Sequence, residues 1–246
     1  MEKDYFKLSQ EIYRRKSVRE YTDDTIDFLE DGTDLTKKFG LVPLFKDIRF
    51  EIAVLKDGEI KNRRSKYCIA FYSEDIDGCN ENVGFIGQQL SLELQAMGIG
   101  TCWRGVKKPN SDNRSRDGLR FVLSMTAGYP KGPATRSVYD FNRVDAADIA
   151  IGEPDEYIEA VRLAPSAVNN QPWAVEKSGA AYNFYLKKAR NFFLGMVLGE
   201  NLRKIDMGIG MAHLFIKVKA AGKDAVMSAN GQNLPDALYI GTIEVK

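Results

Sequence analysis

The tetrapeptide Met97-Gly98-Ile99-Gly100 recurs as Met207-Gly208-Ile209-Gly210, and each copy is expected at the end of a stretch with apolar residues at helical spacing. A recurrence of this kind narrows the fold sharply. Two copies of one unit, neither able to bury its apolar face alone, pack on each other as the halves of a homodimer do. The surroundings repeat in the same order. Val54-Leu55-Lys56-Asp57-Gly58 is echoed by Val175-Glu176-Lys177-Ser178-Gly179, which precedes a strand over residues 182–186. The small-residue strand Ala237–Val245 matches Leu119–Gly128. Residues 131–154, rich in Gly, Pro, Asp and Arg, form the natural connector, so the halves are expected at residues 1–140 and 141–246.

Within the first half, Tyr5, Leu8, Ile12 and Tyr13 predict an amphipathic opening helix, and a second helix is expected over residues 33–39, ending near Gly40. Phe50–Leu55, a turn at Lys56-Asp57-Gly58 and a returning strand at Glu59-Ile60 read as a hairpin. A further strand is expected over residues 66–72 and a helix over residues 83–97 closed by Gly98. The fold class is α+β, two tandem halves with sheets wrapped by helices.

The chain has 246 residues, with 44% hydrophobic and 28% charged residues, enough to build one large core or two packed halves. Lys and Arg number 35 against 34 for Asp and Glu, and this balance argues against nucleic acid or an anionic membrane as partner. No apolar run approaches the roughly 18–20 residues that cross a bilayer, and the mixed-charge N-terminus lacks the apolar core of a signal peptide. Three cysteines without CxxC spacing fit reduced thiols in the cytoplasm. The single histidine, His213, leaves little basis for a His-rich metal site or a hydrolytic triad; a packed side chain is its plainer reading.

Two segments carry chemistry. In Arg14-Arg15-Lys16-Ser17-Val18-Arg19, four cations and a hydroxyl within six residues suit a dianionic phosphate, since Arg offers a fork of donors and Lys a point charge. The same run would serve as a solvated helix end. Leu163-Ala164-Pro165-Ser166-Ala167-Val168-Asn169-Asn170-Gln171-Pro172-Trp173 is a rigid loop before a strand, fit either to bind something polar and planar or simply to turn the chain.

Together these segments resemble the nitroreductase superfamily. Arg15-Lys16-Ser17-Val18-Arg19 is similar to its Arg-Arg-Ser-x-Arg signature, with Lys16 where Arg is commonest, and residues 165–173 match its Pro-Ser-x-x-Asn-x-Gln-Pro-Trp loop. Gly98-Ile99-Gly100-Thr101-Cys102-Trp103-Arg104-Gly105 and Gly128-Tyr129-Pro130 followed by Arg136 resemble two further family features. The resemblance implies one FMN held between two subunit-like halves, with NAD(P)H as electron donor and small nitroaromatics or quinones as acceptors in a ping-pong cycle. It also implies a monomeric pseudo-dimer or weak homo-oligomer. By the same resemblance, Arg15, Lys16 and Arg136 meet the phosphate, Ser17 the phosphate or ribityl chain, and Arg19 the flavin N1–O2 edge. Pro165, Ser166, Ala167 and Asn169 meet the ribityl and pyrimidine side, and the backbone of Trp103, Arg104 and Gly105 the N5 side. Cys102 and Trp173 are expected to be packed rather than catalytic. No protein general base is required, because the flavin carries the chemistry.

The departures from the family pattern matter as much. The first half lacks the Pro-Ser loop; the second lacks the Arg-Arg-Ser signature and any Thr-Cys-Trp after Gly210. One composite site per chain is therefore expected. The competing readings are a flavin-binding or storage protein without turnover, a specialised flavin chemistry such as flavin destruction or reductive dehalogenation, and an interaction protein whose basic run is a surface patch.

Overall fold

The structure, a computed structural model, describes residues 3–56, 58–60, 65–105, 108–188 and 192–246. In chain order the elements are α1 (Tyr5–Ile12), α2 (Asp27–Glu30), α3 (Leu35–Lys38), β1 (Phe50–Leu55), β2 (Tyr67–Ser73), α4 (Cys79–Ala96), β3 (Gly100–Arg104), β4 (Ser115–Arg116), β5 (Leu119–Gly128), α5 (Ala146–Ile149), β6 (Ala150–Ile151), α6 (Glu156–Arg162), β7 (Trp173–Ser178), β8 (Ala181–Lys187), α7 (Phe192–Ala220), β9 (Ala225–Ser228) and β10 (Ala237–Val245).

They form two antiparallel sheets of the same plan. The first runs β1-β2-β5-β3 with β4 on the edge of β5; the second runs β7-β8-β10-β9, extended at one edge by β6 in parallel with β7. In both, a hairpin is followed by a long helix, and the last strand inserts beside the hairpin. The fold is thus α+β with tandem halves. β2 is buried along its whole length because both sheet faces are covered: Ile69 and Phe71 meet Val83, Ile86 and Leu90 of α4, while Cys68, Ala70 and Tyr72 pack with Leu55 and Leu119.

The halves meet where α4 crosses α7. A Cβ on Gly84 would lie 2.1 Å from the Ile205 carbonyl oxygen, and one on Gly208 would lie 1.8 Å from that of Glu81. Only glycine permits such backbone contact. The contact is reciprocal, so Gly84 and Gly208 are the equivalent positions of the repeat. The same displacement carries Gly98 onto Gly222, the left-handed residues after the two long helices, at φ 79° and 72°.

This corrects the register of the repeat. The second tetrapeptide does not end a helix: Met207-Gly208-Ile209-Gly210 lies inside α7, which continues to Ala220. The two tetrapeptides share letters but not position. One other expectation changes. The strand returning from β1 is Tyr67–Ser73, paired from Leu55↔Cys68 to Phe50↔Ser73, whereas Ile60 makes only an isolated bridge to Pro109. Asp57 of the expected turn lies outside the described residues. The connector carries α5 and β6 and so adds a strand to the second sheet.

Candidate functional site

α1 (Tyr5–Ile12) is capped by Asp4, whose carboxylate accepts the Lys7 N–H at 2.9 Å. The chain then runs extended. Arg15 bridges Thr135, Ser17 bridges Thr101 of β3, and the Val18 N–H donates to the Thr101 carbonyl at 3.0 Å. Residues 15–19 are thereby laced between β3 and the connector. From the other half, residues 165–169 reach the same place.

Two adjoining cavities result. One, of about 580 Å³, is lined by Arg15, Lys16, Ser17, Arg19, Arg136, Asn142, Arg143, Pro165, Ser166, Val168 and Asn169. The other, of about 230 Å³ and largely apolar, is lined by Ser17, Arg19, Cys102, Trp103, Gly105, Leu123, Pro165, Ser166, Ala167, Val168, Leu202, Ile205, Asp206 and Ile209. Ser17, Arg19, Pro165, Ser166 and Val168 border both. The sequence-expected residues are therefore brought together, with one exception. Arg104 lines neither cavity. Two further cavities, of about 580 and 650 Å³ beside β1, contain none of the motif residues.

The polar cavity is a concentration of unneutralised charge. Arg15 is 4% exposed, its Nη2 donates to the Ser17 hydroxyl at 3.1 Å, and its Nη1 is buried with no partner. Burial, with Arg136 and Arg143 beside it, pushes its guanidinium down to about 9. Arg143 is pushed down to about 10 by burial and by Arg136 and Arg162, and its Nε is also buried without a partner. Arg136, lowered by burial, donates from Nε to the Arg15 carbonyl at 3.1 Å and stacks on Phe141 with the guanidinium 3.6 Å from the ring centre. Among the described residues no carboxylate forms an ion pair with Arg15, Arg136 or Arg143, whereas neighbouring Arg14 is paired with Glu11 at 2.8 Å. A buried cation faced by two half-buried ones, with no carboxylate between them, calls for an anion.

The loop opposite is strained. Val168, Asn169 and Gln171 have φ of 45°, 59° and 50°, three of the four non-glycine residues in this region among those described. Such backbone costs on the order of 1–3 kcal/mol per residue and persists only where its surroundings hold it. Here a network does so. The Ser166 hydroxyl accepts the Gln171 N–H at 2.9 Å, and Gln171 Oε1 accepts the Val144 N–H at 2.9 Å. Asn169 Nδ2 donates to the Asn142 carbonyl at 2.9 Å while its Oδ1 accepts from Arg143 at 2.5 Å. Asp206 Oδ1 accepts the Ala167 N–H at 2.9 Å, and the Asp206 carbonyl accepts the Trp173 indole N–H at 2.9 Å. Trp173 is fully buried, so it anchors the loop in the core.

Cys102 is a buried free thiol. His213 is buried and neutral, pushed down to about 3 by burial; Nδ1 donates to the Ala160 carbonyl, so Nε2 accepts from Gln88, whose Oε1 receives the Trp103 indole N–H at 3.3 Å. Arg143 and Asp206 were missed in the sequence. The only signal for Arg143 was an arginine in the connector; that for Asp206 was a lone acid in the apolar run Ile205-Asp206-Met207-Gly208-Ile209. Among the described residues no group of His, Cys, Asp and Glu could hold a metal ion, and no helix is long and apolar enough to cross a membrane.

The sequence matches the family model described as "Putative TM nitroreductase" over residues 7–218. A solved structure from Thermotoga maritima described as a nitroreductase of this type overlays with a TM-score of 0.66 at 19% identity, covering 97% of this chain and 92% of that one, which is a likeness of fold. A Bacteroides thetaiotaomicron protein described as an NADH dehydrogenase/NAD(P)H nitroreductase gives 0.46 at 16% identity, covering 59% of this chain and 97% of that one. A Clostridium difficile protein described as an FMN-dependent nitroreductase gives 0.40 at 17%, covering 56% and 98%. Curated proteins give no match.

Proposed function

The chain belongs to the nitroreductase family of that description, and from this premise we propose that it is an FMN-dependent oxidoreductase with one composite site. The observation that carries the reading is the meeting of buried Arg15 and half-buried Arg136 and Arg143, none ion-paired with a carboxylate, with an apolar slot across a strained loop. The donor set fits the group. The orphaned Arg15 Nη1 and Arg143 Nε match the needs of a phosphate, and the polar rim shared by the two cavities matches a ribityl chain.

Bound there, FMN would supply reversible two-electron chemistry between NAD(P)H and an acceptor of the nitroaromatic or quinone type. The protein's own tasks are binding, orientation and exclusion of water. Arg15, Lys16, Arg136 and Arg143 neutralise the phosphate. Ser17 and Ser166 offer hydroxyl donors along the ribityl chain, Ser166 keeping its own proton free while it accepts from Gln171. Arg19, bordering both cavities, stands where ring and tail meet, and a cation at that edge favours the reduced, negatively charged ring. Leu123, Leu202, Ile205 and Ile209 keep the slot dry. We place the boundary of the halves near residue 140, between the two sheets.

The test is the visible spectrum after incubation with excess FMN and desalting. One flavin per chain, bleached by anaerobic NADPH, is the expected outcome. Flavin that is retained but not bleached would point to a storage protein, and a colourless chain would sink the reading.

A further inference from the structure

Asn82 on α4 and Asp206 on α7 are equivalent residues, related by the displacement that carries Gly84 onto Gly208. Each holds the loop after a Leu-x-Pro sequence. Asn82 Oδ1 accepts the N–H groups of Leu44 at 2.8 Å and Phe45 at 3.1 Å; Asp206 Oδ1 accepts that of Ala167 at 2.9 Å. A neutral carboxamide therefore suffices for the loop-holding task. An acid at the same place adds only a titratable group and a desolvation penalty, so its presence calls for a second task.

The second oxygen supplies one. Asp206 is 2% exposed, and its Oδ2, like Asn82 Nδ2, is buried without a partner, but of the two residues only Asp206 lines the apolar cavity, so only its free atom has a ligand space beside it. Burial pushes the carboxyl up to about 8, outweighing the Ala167 N–H and the attraction of Arg203, so the group is mainly neutral at pH 7. A neutral carboxyl keeps an O–H to donate; a carboxylate has none. The cavity around it is lined chiefly by carbon, where one donated hydrogen bond orients a ligand strongly.

We propose that Asp206 is a positioning residue that donates a hydrogen bond from Oδ2–H to an acceptor atom on the edge of a planar heteroaromatic ring held in the apolar cavity. The inference rests on the flavin reading above and goes further, in naming a group of this chain that selects the ring rather than the phosphate. The charged and titratable groups around Asp206 are Arg203 on its own helix, Glu81 on α4 at the helix crossing, Cys102 on β3, and Arg19 on the segment after α1.

Riboflavin is the probe, because it lacks the phosphate and so is insensitive to the titration of Arg15 and Arg143 at about 9 and 10. Its dissociation constant is measured by fluorescence quenching between about pH 6.5 and 9.5 for the full chain, Asp206→Asn and Asp206→Leu, with FMN at pH 7 as a control. The expected constant for the native chain rises by about tenfold per pH unit above the carboxyl's own titration. Asp206→Asn, which keeps both the loop contact and a donor, should bind within about threefold of native at pH 7 with a flat profile. Asp206→Leu should bind at least about tenfold more weakly throughout. A flat native profile, or an equal rise in Asp206→Asn, overturns the proposal. If the native chain binds neither riboflavin nor FMN, the flavin reading itself has failed, and the proposal with it.

Discussion

Residues 41–50 and 163–173 occupy equivalent places in the two halves, each entering the first strand of a hairpin and each held by an oxygen from the crossing helices. Their fates differ. In the first, Leu41, Leu44 and Ile48 are buried, and Phe45 sits so close to Gly78 that a Cβ there would lie 2.8 Å from its ring. Its apolar residues pack on one another, and the place is filled. In the second, polar side chains and positive-φ backbone stand over two cavities, and the opposite cations, buried Arg15 and half-buried Arg136 and Arg143, are left without counter-ions. One frame thus supports a plug or a pocket. The difference lies in whether apolar side chains close the place or cavities and unpaired cations leave it open.

Three substitutions probe that contrast, from the largest expected effect downward. Gly208→Ala puts a methyl where Glu81 backbone lies and should lower stability by about 3 kcal/mol or more in urea unfolding, because helix must move from helix. Loss of both halves in one transition is expected. Separate transitions would show that plug and pocket do not share a frame. Next, Arg15→Met removes a charge that is repelled by its neighbours in the free protein. FMN affinity should fall by roughly 100-fold in a fluorescence titration, while the melting temperature of the flavin-free chain rises. A variant that is both weaker in binding and less stable when free would place Arg15 with the structural residues instead. Last, Val168→Gly relieves a β-branched residue at φ 45° and should stabilise the free chain by about 0.5–1 kcal/mol, read as a small rise in melting temperature. An unchanged or lower melting temperature would mean that this loop stores no strain that its counterpart lacks.

Much of this was legible before the structure. The basic run after α1, the Trp103–Gly105 stretch and the Pro-Ser loop each announce themselves because their chemistry depends on short spacing. The strands Leu119–Gly128 and Ala237–Val245 were readable from their runs of apolar and small residues. What long-range packing decides was not. The partner strand of β1 lies beyond a loop that no local pattern spans, and the register of the repeat depends on which glycine touches which carbonyl rather than on matching letters. Arg143 and Asp206 fall in the same class. Each is a single charged residue whose meaning comes from a segment distant in sequence, Arg143 through Asn169 and Asp206 through Ala167.

The crossing of α4 and α7 also has a genetic consequence. When two identical subunits meet about a two-fold axis, every codon is expressed on both sides, and a substitution that suits one site is imposed on its twin. Here the two sides are encoded separately. Asn82 and Asp206 can therefore drift apart, as can Phe45 and Ala167, and each locus answers to one selective demand rather than to a compromise between two.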